Sequence, residues 1–196
     1  MRAAAREKGS IPVLQKNWDR VKRMVLQGQE QILQHREASN AFTKGKPEQT
    51  LVWEDDHGIT CRARLDWLHD SMKIIDDYKT TGMSVNPDVL GRMMVSQGWE
   101  VQAAFYCRGI RKLTGQVAEF RFFAQETSEP HALSIIGVGP DFQWNGEWKV
   151  QKAIDLWAEC LDSGKWPGWT DRIAYPLLPA WESSKTEADQ LKGVTI

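Results

Sequence analysis

Cysteine is scarce in this sequence. Cys61, Cys107 and Cys160 are its three thiols, far apart and with no CxxC pair. An odd, dispersed count argues against a disulfide framework and a zinc knuckle. It also leaves too few thiolates for an all-cysteine iron–sulfur cluster. The three read as buried or inert thiols in a reducing compartment. No apolar run approaches roughly 18 residues, and the N-terminus has no hydrophobic signal core, so neither a membrane span nor a secretory leader is expected. The expectation is a soluble, cytoplasmic protein without a membrane partner. A surplus of one charge is missing too: 25 Lys and Arg stand against 26 Asp and Glu, a net charge of −1. No global basic footprint announces a nucleic-acid partner. Any such affinity has to come from a local patch, with metal ions offsetting acidic groups. Internal repeats and low-complexity segments are also absent.

What is present is ordinary for a globular chain, apart from ten Trp, which suit either a core or a binding surface. The 196 residues suffice for one domain with a real core. The expected organisation is a single domain over residues 1–182, with a basic, frayed start at 1–10 and a polar, disordered tail at 183–196.

Periodicity changes along the chain. From Val13 to His35 it is helical: Leu14, Trp18, Val21, Val25 and Ile32 form one apolar stripe. Lys16, Arg20, Lys22, Arg23, Gln27 and Gln31 make the polar side, which reads as a solvated face. Residues 38–48 read as a loop. Period two then takes over, predicting strands over 49–54, 59–68 and 72–79 in an antiparallel meander. The turns are Asp55-Asp56-His57-Gly58 and His69-Asp70-Ser71, with His57 an exposed turn histidine. A helix over 89–113 buries Leu90, Met94, Val101 and Phe105, with Gly98 as a close-packing point. Strands over 117–124 and 132–138 follow. A last helix over 142–162 carries Val150, Ile154, Trp157 and Leu161 on one stripe. The order α-β-β-β-α-β-β-α implies an α/β (α+β) layer fold, a central mixed sheet flanked by helices.

The chemistry concentrates between Cys61 and Thr81, CRARLDWLHDSMKIIDDYKTT. If its two strands pair as a hairpin, paired residue numbers sum to a constant. An odd sum, such as 141 or 143, puts Asp66 and Asp77 on one face, with Cβ atoms roughly 5–8 Å apart. An even sum sends them to opposite faces. Lys79 shares the face of Asp77. Two carboxylates that close repel unless a cation lies between them, and hard oxygen donors suit Mg²⁺ or Mn²⁺. The lysine supplies a fixed positive charge beside a phosphate or a water. Asp-x-Lys alone is common. The full set is more demanding, because it also requires the apolar lead Ile74-Ile75 and a following helix with Gln102 and Tyr106 on one face.

These residues resemble the PD-(D/E)xK nuclease superfamily, in its RecE-type branch (exodeoxyribonuclease VIII, with the RecB-like nucleases as relatives). The stretch VWEDDHGITCRARLDWLHDSMKIIDDYKTT is similar to that branch's strand with WED, Gly turn, C-R-x-R-x-D and I-x-D-x-K-T-T. Gln102-Ala103-Ala104-Phe105-Tyr106 matches its QxxxY motif, and Cys160-Leu161 with Lys165-Trp166-Pro167 resembles its C-terminal end. The resemblance implies a restriction-endonuclease-like core. It makes Asp66 and Asp77 metal ligands, with the Tyr78 backbone carbonyl a third, and Lys79 the catalytic lysine. Arg64, Thr80, Thr81, Gln102 and Tyr106 become supporting or DNA-contacting residues. The implied reaction is Mg²⁺- or Mn²⁺-dependent hydrolysis of duplex DNA from its ends. The implied partners are a RecT-like annealing protein and further copies of the chain in a ring.

One departure stands out. The branch carries a histidine on an early helix, in an H-A-L-L-L-E-like segment, that completes the metal site. No such segment occurs here, and the sequence reads as starting after it, with Glu30 and His35 the candidates for a substitute. Three readings follow: an exonuclease of phage or prophage recombination type, a PD-(D/E)xK endonuclease of restriction or repair, and a catalytically weak DNA-binding remnant.

Overall fold

The computed structural model describes residues 9–170 and 172–193. Residues 1–8 of the start expected to be frayed and residues 194–196 of the expected tail lie outside the described residues. The elements are α1 (Gln15–Gln34), β1 (Gly45–Glu54), β2 (Thr60–His69), β3 (Ile74–Thr81), α2 (Pro87–Gln97), α3 (Trp99–Thr114), β4 (Glu119–Glu126), β5 (Leu133–Gly137), α4 (Pro140–Ser163) and α5 (Ala180–Gly193). The chain divides into two compact units, residues 1–158 and 159–196. No helix among the described residues is long and apolar enough to cross a membrane.

One sheet carries five strands in the order β1-β2-β3-β4-β5. The first three form the antiparallel meander read from the sequence. β3 and β4 run parallel, and β4 and β5 antiparallel, so the sheet is mixed as expected. A parallel step needs a crossover, and α2 and α3 supply it. On one face, Leu65, Ile75 and Phe122 pack fully buried with Leu90 of α2 and Ile110 of α3. On the other, Phe123 is buried with Ala38 and Ala41, and Ile32 of α1 packs against them.

Several expectations are corrected. The single helix over 89–113 is two. Gly98 takes φ +69°, which ends α2, and its N–H bonds to the carbonyls of Met94 and Val95. A left-handed residue suits glycine and breaks the helix. Nothing crowds the place where its Cβ would be, so Gly98 is a joint and not a packing point. Close approaches occur instead at Gly28, against Gln125, Gly45, against the Leu68 backbone, Gly109, against the Trp53 ring, and Gly146, against the Glu100 backbone. β1 starts inside the expected loop, at Gly45. It is an edge strand, where Pro47 removes no ladder bond the sheet needs.

The stripe of α1 is only partly used. Gly28 and Ile32 face the sheet, but Leu14, Trp18, Val21 and Val25 are 42–56% exposed. α4 buries Val150 and Ile154 and leaves Trp157 half exposed. The stretch from Ser183, expected to be disordered, lies in α5 as far as Gly193. Its first turn closes on Pro179, whose carbonyl accepts from the Glu182 and Ser183 N–H groups. Glu, Lys, Ala, Gln and Leu are good helix formers, and a shortage of apolar residues does not remove that propensity.

Candidate active site

β2 and β3 pair through Trp67↔Asp76 and Leu68↔Ile75, so the constant sum is 143. Continued by one step, that register sets Asp66 opposite Asp77. The sum is odd, and the two carboxylates share a face. Asp66 accepts the Tyr78 N–H on Oδ2 at 3.1 Å. Asp77 is 1% exposed and Asp66 half-buried.

Asp66 sits at a disturbance in β2. The β1–β2 ladder skips Glu48, the residue facing Asp66, and Glu48 takes φ +56°, which is uncommon away from glycine. Ala63 before this point and Leu68 after it both reach the same core, although strict alternation over five residues would separate them. The kink thus re-aims the strand at the residue that carries the carboxylate.

Two side chains converge on Asp77. Lys79 Nζ ion-pairs with Oδ1 while its own head lies 5.9 Å from the centre of the Phe122 ring. Gln102 Nε2 donates to Oδ2 at 2.6 Å. α3 delivers Gln102 because its neighbours Ala103 and Ala104 bury on the same helix. Burial pushes the Asp77 carboxyl above the ordinary carboxylate range. Lys79 opposes that shift, the negative charge of Asp66 adds to it, and the Gln102 hydrogen bond opposes it. Tyr106 lies one helical turn from Gln102. Its phenol is pushed up first by burial, then by the charges of Asp77 and Asp66, against hydrogen bonds from the Arg64 backbone and the Gln102 side chain.

Asp66, Asp77, Lys79, Gln102 and Tyr106 are therefore brought together, as the sequence led one to expect. Tyr78 stays beside them through the N–H it donates to Asp66, but Arg64, Thr80, Thr81, Glu30 and His35 do not join them. The Arg64 guanidinium pairs with Glu48 on the exposed face. Thr80 is exposed. Thr81 Oγ1 accepts the Met83 N–H at 3.0 Å and contacts Met93 Sδ, so it serves the turn after β3. Glu30 accepts from Gln34, and His35 Nδ1 accepts the N–H groups of Glu37 and Ala38. Both are occupied at the end of α1, and neither completes the carboxylate pair. Among the described residues, no three His, Cys, Asp or Glu side chains gather as a metal cluster.

The family described as a PDDEXK-like domain of unknown function (DUF3799) matches residues 4–177. The chain belongs to that family. Five solved chains also match. One is a putative exonuclease from Eubacterium rectale, 13% identical, with a TM-score of 0.63, covering 93% of this chain and 71% of that one. At that identity the likeness shows the fold. Another, named SSO0001, is 14% identical with a TM-score of 0.38, covering 67% and 57%. No curated protein matches.

The carboxylates of this PDDEXK-like chain fit a hard divalent cation. Asp77 Oδ1 is buried and has the Lys79 ammonium as its counter-charge. Asp66 adds like charge beside it. Mg²⁺ is commonly held by one or two carboxylates, with waters and substrate phosphates filling the remaining positions.

A second polar centre of this chain escaped the sequence reading. Asp76, fully buried on the opposite face of β3, pairs with His69 Nε2 at 2.6 Å and with Arg121 Nε at 2.7 Å. It also accepts the Phe42 N–H at 3.3 Å. The doublet Asp76-Asp77 was the available signal: adjacent residues of a central strand face opposite ways, so both must find partners.

Proposed function

We propose that this chain is a metal-dependent deoxyribonuclease, an exonuclease that hydrolyses phosphodiester bonds of linear duplex DNA. One observation carries the reading. A buried, oriented aspartate, a second aspartate and a lysine meet on one face of a hairpin, at the positions of the PD-(D/E)xK pattern.

Asp66 and Asp77, with the Tyr78 carbonyl, would hold Mg²⁺ or Mn²⁺. Such an ion, when bound, polarises a phosphate oxygen and lowers the pKa of a coordinated water. The protein's own groups do the rest. Gln102 holds the Asp77 carboxylate in one rotamer, with its other oxygen turned to Lys79. Lys79 keeps a fixed positive charge where a phosphoryl group gains negative charge, and it is placed to orient a water. Burial and the two carboxylates keep the Tyr106 phenol protonated, which leaves it a hydrogen-bond donor beside the site. DNA ends are the proposed substrate. A RecT-like single-strand annealing protein and a ring of copies are the proposed partners.

The test is digestion of linear and circular duplex DNA with Mg²⁺ or with EDTA. Loss of linear DNA only, abolished by EDTA, Asp77→Ala or Lys79→Ala, is the expected result. Cutting of circles would transfer the reading to an endonuclease. No cutting in Mg²⁺ or Mn²⁺ would leave a DNA-binding remnant, the reading favoured by the meeting of only two carboxylates among the described residues.

A further inference from the structure

Beside the carboxylates, a cavity of about 670 Å³ opens between the start of β2, α3 and α4. Its walls include Val101, Phe105, Tyr106, Ile154 and Trp157, with the exposed Arg62 at β2. Gln102 also lines it, so the cavity and the site share the residue that holds Asp77. Resting on the nuclease reading, we infer that this groove receives an unstacked nucleobase of a single DNA strand, next to the phosphate at Asp77 and Lys79.

Four observations support that occupant. The volume suits a small ligand, since pockets for these run to roughly 300–1,000 Å³. It is too small to enclose a duplex. The lining is aromatic and aliphatic, as single-strand sites are, because every base has a π-face to stack. Phe105 is held firmly by Trp53, with ring centres 4.8 Å apart. Arg62 is a cation placed for the backbone phosphate, and an Arg also stacks on bases. Finally, the β2–β3 ladder is confined to Trp67↔Asp76 and Leu68↔Ile75, so the start of β2, which lines the groove, is not laddered to β3. The consequence is a preference for ends that are already unpaired.

The experiment measures binding of a fluorescein-labelled oligothymidylate, a blunt duplex and a duplex with an unpaired end, all in EDTA, followed by cleavage of both duplexes in Mg²⁺. The oligothymidylate and the unpaired end should bind more tightly than the blunt duplex. Val101→Trp, which fills the groove, and Trp157→Ala, which strips one wall, should each weaken single-strand binding about tenfold, the loss of one stacking contact. Both variants should keep the wild-type circular dichroism and the wild-type Mn²⁺-induced rise in melting temperature, which reads the carboxylates alone. Single-strand binding unchanged in both variants, or a blunt end bound as well as an open one, overturns the groove. A wild-type protein that cleaves DNA while the groove variants bind normally defeats this inference and leaves the nuclease reading standing. Failure of the wild type to bind or cut any DNA defeats both.

Discussion

Asp77 has its proton affinity raised by burial above the ordinary value of 3.8. A carboxyl with a raised folded-state pKa adds stability below the unfolded value, and that stability is lost as pH rises through the folded value. The metal-free protein should therefore lose stability above pH 3.8, and Asp77→Asn should remove that loss. At pH 7 in EDTA the variant should melt higher than the wild type. At pH 3 the gain should vanish, and DNA cleavage should be absent at every pH. A variant that melts lower at pH 7 would show that Lys79 outweighs the burial. Gln102→Ala tests the other contact. A hydrogen bond to a charged group contributes about 1.5–3 kcal/mol, so cleavage should fall roughly 10–100-fold while the fold persists. The thiols give a quieter test. Burial pushes Cys107 to about 11 and raises Cys61, so native protein at pH 7.5 should leave both unlabelled by iodoacetamide, as mass spectrometry would show.

Among the elements, the hairpin was legible because strand parity is exact: once a short turn and two apolar strands are recognised, an odd sum is one of only two choices. Gln102 and Tyr106 were legible because helical spacing puts them on one face. The division at Gly98 was not, since the apolar stripe continues across it and only a backbone angle reveals the break. The stripe of α1 misled for a different reason. Periodicity reports which side of a helix is apolar, but not how far the sheet beneath it extends. Gly146 tests helix packing directly. Alanine favours helix by about 1 kcal/mol over glycine, yet a Cβ here would strike the Glu100 carbonyl and backbone. Gly146→Ala should therefore destabilise, by roughly 1–3 kcal/mol in urea denaturation. A neutral or stabilising result would mean that α3 and α4 separate easily.

For the molecule as a whole, the near-zero net charge hid its chemistry, because the acidic centre and the basic residues of α1 and α3 cancel in the sum. A cation that binds only the folded state stabilises it in proportion to its concentration. At 100 times its dissociation constant Mn²⁺ should add about 2.7 kcal/mol, and Asp77→Asn should abolish the effect in thermal melts. The kink at Glu48 carries a consequence beyond aiming Asp66. β1 is an outer strand, with one row of its backbone groups unmatched by a neighbour in the sheet. Such rows recruit stray strands into aggregates unless something spoils their regularity. Lys46, Pro47 and the left-handed Glu48 fall together along that row, a charge, a missing donor and a twist in succession. The irregularity that points a carboxylate inward thus also guards the outer edge against polymerisation.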